Sequence, residues 1–206
     1  MSERLIKPVA DNSAKNDTYR KYMGRHSKAE KEGFLFEAML IDYAIMEDRL
    51  RSFLYHAGLL KTRNSIKIDS FRKSIQEIVN EYAEEDERVG IGIGSISGKL
   101  KILRCLTVWA STTEGVSTQD KYLTALKRQM ESLDVERVLL MINEIKQWCK
   151  YRNEIIHCLM NKSINSVDSA LKEREEQGFE LAKEIGSVVK TIKKGNLIRR
   201  RVGLPV

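Results

Sequence analysis

The segment QWCKYRNEIIHCLM, residues 147 to 160, sets Arg152, Asn153 and His157 into a pattern that otherwise predicts an apolar helix. A guanidinium binds carboxylates and phosphates through paired N–H donors and keeps its charge at physiological pH. An imidazole has an unperturbed pKa of about 6.5, so it exchanges a proton close to neutral pH. These side chains could therefore bind an anion and move a proton.

Angular positions of about 100° per residue predict where these side chains point. With Ile145 at zero, Arg152 lies about 20° from the centre of the apolar stripe, while Asn153 and His157 lie at about 80° and 120° on its flank. Arg152 and His157 thus diverge by about 140°. Both can serve one site only in a cleft or across a subunit interface.

A guanidinium buried in an apolar stripe needs a partner, because it cannot lose its proton to escape the cost of desolvation. The partner can be an internal carboxylate, the backbone of a partner subunit or a bound phosphate. Asp42 and Glu47 are the internal candidates, because they lie about 40° and 100° from the centre of the first helix's apolar face. A plain buried ion pair is the alternative to a functional site.

The Arg-to-His spacing is a weak signal by itself, because each of the three histidines follows an arginine at a similar distance: Arg20 and His26, Arg51 and His56, Arg152 and His157. We expect His26 to lie on the surface of a polar segment and His56 to cover the C-terminus of the first helix. The third pair stands out because its arginine points towards the core.

Helical periodicity and the absence of proline between Pro8 and Pro205 predict an all-α bundle. The predicted helices span about 28 to 59, 69 to 86, 97 to 112, 119 to 131, 134 to 163 and 167 to 193. Gly58 is expected to end the first helix, Asp134 to cap the fifth, and Ser166 and Asp168 to begin the last.

The chain is expected to form one helical domain, residues 28 to 193, within which residues 61 to 130 form an irregular insertion without an assigned role. Residues 1 to 27 form a basic, partly flexible segment, and residues 194 to 206 form a basic tail. The glycine-rich stretch at 90 to 98 does not match a phosphate-binding loop, since Ile93 occupies a required glycine position and Leu100 follows Lys99. We interpret it as a flexible connection.

Composition indicates a soluble, cytoplasmic protein: 42% of residues are apolar, 32% are charged, and the N-terminus lacks a signal sequence. Cys105, Cys149 and Cys158 suit free buried thiols, and no metal-ligand cluster or cofactor motif is present. Lysine and arginine outnumber the acids 36 to 29, with the excess at the chain ends. This favours a polyanionic partner, although solubilising tails explain the charge equally well.

The sequence RNEIIH in an all-helical setting resembles the Arg-x4-6-His signature of HEPN domains, in which a polar residue commonly follows the arginine. FLFEAMLIDYAIMEDRLRSFL resembles the opening helix of such domains. The resemblance covers about residues 30 to 60 and 134 to 192. It implies an antiparallel helical bundle that dimerises with the motif at the interface.

The resemblance also implies a metal-independent endoribonuclease, in the setting of toxin-antitoxin or phage-defence systems. RNA supplies the 2′-hydroxyl nucleophile, His157 acts as acid or base, Arg152 stabilises the phosphorane, and Asn153 orients the phosphate or imidazole. RNA contacts are expected at Lys150, Arg199, Arg200 and Arg201.

The resemblance leaves regulation and activity open. An antitoxin or a nucleotidyltransferase-type regulator is a possible partner, and Tyr151 would be the target of nucleotidyl modification, although a tyrosine packed at the bundle edge is the simpler interpretation. The main alternative is a catalytically silent helical module that binds nucleic acid or protein, with the basic tail as a docking arm.

Overall fold

The computed structural model describes residues 12–63, 65, 73–84, 92–114, 120–158, 161 and 163–206. Every regular element in these ranges is helical, which confirms the predicted all-α class. The helices are α1 (Asn12–Glu32), α2 (Leu35–His56), α3 (Lys73–Tyr82), α4 (Ile96–Thr112), α5 (Lys121–Met130), α6 (Val135–Cys158), α7 (Ile164–Lys193) and α8 (Leu197–Arg201), with a 3-10 turn at Lys194–Asn196 before α8. No helix among the described residues is long and apolar enough to cross a membrane.

The first predicted helix, at residues 28 to 59, covers the end of one helix, α1, and the whole of a second, α2. Gly33, at φ 77°, ends α1 in a Schellman motif: its N–H donates to the carbonyl of Glu30, and the N–H of Phe34 donates to the carbonyl of Ala29. The expectation of a partly flexible segment over residues 1 to 27 is wrong from Asn12 onwards, because α1 packs on α2. Residues 1–11 lie outside the described part.

The predicted helices at 69 to 86, 97 to 112 and 119 to 131 correspond to α3, α4 and α5, so the region at 61 to 130 is not the irregular insertion that was expected. α4 packs against α2, α3 and α6. Its buried side chains include Leu100, Leu103 and Leu106. Ser95 caps α4 by accepting the N–H of Gly98. The predicted glycine-rich connection therefore ends at Ser95, and its first residues, 90 and 91, lie outside the described ranges.

The predicted helix ends are mostly confirmed. Gly58, at φ 76°, follows α2 in a second Schellman motif, and the Asp134 carboxylate accepts the N–H of Arg137 at the start of α6. The prediction for α7 is wrong by one turn, since Ser163 caps it by accepting the N–H of Ser166. The predicted fifth helix extends too far, to 163, because Ser163 is the N-cap of α7. The predicted ends at 69, 86 and 119 fall outside the described residues.

Three long helices position the motif. α2 and α7 run in the same direction, because Asp42 lies beside Gly178 and Arg49 lies beside Gly186. α6 runs antiparallel to α7, because Arg137 near its start pairs with Glu184 while the indole N–H of Trp148, farther along, donates to the carbonyl of Arg174 at 3.0 Å. The second half of α6, which carries the motif, therefore lies beside α2 and α7.

The C-terminal residues do not form a free basic tail. Arg199, fully buried in α8, donates to the carbonyls of Tyr55 at 2.7 Å, Leu60 at 2.9 Å, Lys61 at 3.1 Å and Pro205 at 2.6 Å. Its guanidinium also stacks 3.6 Å from the Tyr55 ring. Because the carbonyls of Tyr55, Leu60 and Lys61 lie at or just after the end of α2, Arg199 fastens α8 onto the end of that helix.

Candidate functional site

Arg152 lies at the edge of the core, half-buried between α6 and α2. One of its terminal N–H groups donates to the Asn153 amide oxygen at 2.7 Å, and its guanidinium carbon lies 4.0 Å from the centre of the Tyr43 ring. Its Nε is buried and has no hydrogen-bond partner within the described ranges. A cation over an aromatic face is stabilised by the ring quadrupole, by about 0.5–2 kcal/mol.

The buried face of α6 rotates along the helix, which explains why Arg152 is less buried than its angular position predicts. Val138, Met141, Ile142 and Ile145 form the buried face in the first half. Trp148 and Ile155, about 60° and 80° to one side of Ile145, form it in the second half. Arg152 and Ile156 are left half-exposed. The motif therefore lies at the boundary between core and solvent.

The two carboxylates expected to support Arg152 are paired elsewhere. Asp42 is fully buried, and its carboxylate lies 3.0 Å from Nε2 of His26. Glu47 lies 3.0 Å from the ammonium of Lys99, whose side chain is almost fully buried. Within the described part of the chain, no carboxylate forms an ion pair with Arg152, so the hypothesis of an internal carboxylate partner is wrong for both residues.

The other titratable neighbours of Arg152 are uncharged at neutral pH. Burial, followed by the charge of Glu47, raises the pKa of the Tyr43 phenol, although Arg152 acts in the opposite direction. Burial raises the pKa of the Cys149 thiol to about 11, again against the effect of Arg152. Neither group supplies the negative charge that would neutralise the guanidinium.

His157 lies in the last turn of α6 on an exposed polar face that it shares with Asn153 and Lys150. These three side chains fall within about 60° of one another around the helix axis. Within the described ranges, no residue forms a hydrogen bond or ion pair with the His157 imidazole. Because α6 is helical to Cys158, Arg152 and His157 diverge by about 140° in one protomer.

The expected RNA contacts differ in exposure. Lys150, Arg200 and Arg201 are exposed. Arg199 is not, because it is fully buried and donates to backbone carbonyls, so that expectation is wrong. Arg201 lines a cleft of about 250 Å³ together with Lys121 and Arg128.

His26 was expected on the surface, and this expectation is wrong. It is 1% exposed, lies between Asp42 and Glu30, with Nδ1 at 3.2 Å from the Glu30 carboxylate, and stacks on Phe179 with ring centroids 5.0 Å apart. The spacing of Tyr19, His26 and Ala29 by seven and three residues is a helical signal that could have placed it.

His56, in the last turn of α2, is 4% exposed and packs edge-on against the Tyr55 ring. Cys105 and Cys149 are free thiols, and the side chain of Cys158 lies outside the description. Tyr151 packs partly buried against the core with Arg174 4.9 Å from its ring. In the described part of the chain, no group of three or more His, Cys, Asp or Glu side chains can hold a metal ion.

Comparisons of the chain with protein-family models, curated proteins and solved structures found no significant match.

Proposed function

We propose that this chain is a metal-independent endoribonuclease of the HEPN kind that acts as a homodimer through the sequence RNEIIH. The observation that carries the proposal is the state of Arg152. Its guanidinium is held by Tyr43 and Asn153, yet it has no carboxylate partner among the described residues. An arginine whose orientation is fixed and whose remaining N–H groups are not used is suited to bind a phosphate.

The proposed chemistry needs only the RNA and these side chains. The 2′-hydroxyl loses its proton and attacks the adjacent phosphorus, the P–O5′ bond breaks, and the leaving oxygen gains a proton. His157 exchanges one of these protons, and Arg152 donates to the non-bridging oxygens as charge develops on them. Asn153 orients the guanidinium, to which it is already hydrogen-bonded. The products are a 2′,3′-cyclic phosphate and a 5′-hydroxyl.

In a dimer, Arg152 of one copy and His157 of the other would form one site. Within one protomer Arg152 and His157 point about 140° apart, so a two-fold axis beside α6 can bring Arg152 of one copy near His157 of the other. Leu40, which precedes Tyr43 by one turn on α2, is 38% exposed and offers apolar surface for such a contact. Lys150, on the His157 face, would contact the RNA backbone.

The test is cleavage of an end-labelled RNA in the presence of EDTA, followed by identification of the product ends. We expect a 2′,3′-cyclic phosphate from the wild type and losses of about 10²–10³-fold with Arg152→Ala and about 10²–10⁴-fold with His157→Ala. Arg20→Ala is the matched control, because Arg20 is exposed on α1, where it forms an ion pair with the exposed Asp17. It should retain full activity.

A strict requirement for a divalent metal, or full activity in His157→Ala, would refute the proposal. The dimer has its own test: a strict monomer at micromolar concentration with full nuclease activity would exclude the interface arrangement while leaving the chemistry intact. Mixing Arg152→Ala with His157→Ala is a sharper measurement, because a mixed dimer regains one complete pair if the pair spans the interface.

The second candidate function is a catalytically silent helical module that binds nucleic acid or a protein partner. It is favoured by the exposure of His157, whose imidazole is not oriented by any described residue. A catalytic histidine is usually held in place by a second group. If the wild type cleaves no RNA, alone or after a co-purifying partner is removed, while it binds RNA or that partner, this second function replaces the first.

A further inference from the structure

A cleft of about 430 Å³ lies between α1, α2, α7 and the segment that leads to Arg63. Five cationic side chains converge on it: Lys15, Arg49, Arg63, Lys190 and Lys193. Among the described residues of its lining, the one carboxylate is that of Asp48, which accepts from Lys15 at 2.7 Å and from the Tyr19 hydroxyl at 2.6 Å. The lining therefore carries a formal net charge of four positive, without counting histidine.

The buried imidazole of His56 forms part of the lining of this cleft. Its Nδ1 is shielded from solvent, and the imidazole lies beside the Asn196 side chain. Burial, followed by the charges of Arg63, Lys193 and Arg199, lowers the pKa of His56 to about 4, although Asn196 acts in the opposite direction. A neutral imidazole adds no positive charge to the cleft and carries one N–H donor.

The cleft is separate from the proposed nuclease site. His56 lies 13 residues after Tyr43 on α2, which corresponds to about 20 Å along the helix axis and about 140° around it. No residue of α6 lines the cleft. Its occupant therefore need not be the RNA that meets Arg152.

We propose that this cleft binds a small polyphosphate, such as inorganic triphosphate or the phosphate chain of a nucleoside triphosphate. Like charges gathered in one cleft repel one another, and an anion of three or four charges removes that repulsion while it satisfies the ammonium and guanidinium donors. The volume lies in the range of small-ligand sites, roughly 300–1,000 Å³. The phosphodiester backbone of RNA spreads its charges along a strand, whereas this cleft concentrates its cations around one buried imidazole.

The experiment titrates the protein with inorganic triphosphate and, separately, with adenosine triphosphate, without divalent metal and at about 0.1 M ionic strength, where exposed charges farther apart than about 10 Å are largely screened. Calorimetry measures Kd, and the ring proton resonances of the three histidines locate the ligand. We expect the His56 resonances to shift. The double variant Lys190→Gln/Lys193→Gln should weaken binding by at least about tenfold, given the strength of hydrogen bonds to charged groups.

Lys172→Gln is the matched control, because Lys172 is an exposed lysine on the same helix and does not line the cleft. It should leave Kd unchanged within about twofold, since an exposed charge outside the cleft contributes little to binding. Equal Kd values for the two ligands assign binding to the phosphates alone, and tighter adenosine triphosphate binding adds a contact to the nucleoside. Either result supports the site.

Three results would overturn the proposal. They are no binding of either ligand at millimolar concentration, equal weakening by Lys172→Gln, and a shift of the His157 resonances in place of those of His56. A single-stranded RNA without terminal phosphates that displaces triphosphate from the His56 cleft would also overturn it, because the cleft would then be an RNA-backbone surface. Since the readouts are binding and His56 resonances, failure here leaves the nuclease proposal untouched.

Discussion

Replacing Gly178 by alanine tests how closely α2, α6 and α7 are packed behind the Arg152 site. A Cβ at this position would lie 2.8 Å from Cζ2 of Trp148 and 2.9 Å from Oδ2 of Asp42. Neither neighbour can move freely. Trp148 is 2% exposed and donates to the Arg174 carbonyl at 3.0 Å, and Asp42 is fully buried beside His26.

The expected change in the free energy of unfolding of Gly178→Ala follows from two opposing effects. Alanine is favoured over glycine in a helix interior by about 1 kcal/mol. Forcing a methyl group into a filled core costs about 1–3 kcal/mol, occasionally more, and displacing Asp42 from His26 adds to that cost. We expect Gly178→Ala to lower the free energy of unfolding by about 1–2 kcal/mol.

Gly186→Ala, two turns later on α7, is the matched control. Its Cβ would lie 3.8 Å from Nε of Arg49, an ordinary van der Waals distance. This variant should therefore gain about 0.5–1 kcal/mol of stability. Gly24→Ala on α1, with nothing within 4 Å of the added Cβ, should behave in the same way.

Urea unfolding followed by helical circular dichroism, with Trp fluorescence as a second probe, measures all three variants. The difference between Gly178→Ala and Gly186→Ala, about 1.5–3 kcal/mol, corresponds to roughly 3–12 °C in Tm, at about 2–4 °C per kcal/mol for a domain of this size. If Gly178→Ala is as stable as the wild type or more so, the close contact among α2, α6 and α7 is wrong.

Two further predictions concern the end of α2. Arg199→Met should cost about 3–5 kcal/mol, because four backbone carbonyls lose a charged donor, whereas Arg200→Met at the exposed neighbour should stay within about 0.5 kcal/mol. Equal effects in chemical denaturation would refute the role assigned to Arg199. His56 should make the protein acid-labile. Its folded pKa, lowered to about 4, lies below that of the unfolded chain, so the unfolded state binds the proton first and stability falls as pH drops from about 6.5 to about 4. His56→Gln should flatten the pH dependence of unfolding over that window, and an unchanged slope would count against the burial of a neutral imidazole.

The sequence alone predicted the helices that bury a continuous apolar stripe. α4, α5, α6 and α7 were found within about three residues at the described ends, because periodicity and capping residues are local properties. The sequence did not predict most of α1, because the residues of that helix are mostly polar. That helix is held by particular contacts, Lys15 and Tyr19 to Asp48 and His26 to Asp42, which no periodicity specifies.

The same limit applies to charged side chains. The sequence correctly indicated that Arg152 needs an explanation, but it could not show that Tyr43 covers the guanidinium or that Asp42 and Glu47 are paired with His26 and Lys99. It placed the C-terminal arginines together in one tail, whereas tertiary structure buried Arg199 and left Arg200 in solvent.

The amino-acid order by itself determined the helical class and the chemistry available at RNEIIH, because backbone hydrogen bonding and side-chain type are encoded over a few residues. Tertiary structure alone decided which carboxylate meets which cation, which face of α6 stays open, and that cations from α1, α2 and α7 share one cleft with His56. Those outcomes depend on contacts between residues that are distant in sequence, and burial and charge pairing are properties of such contacts.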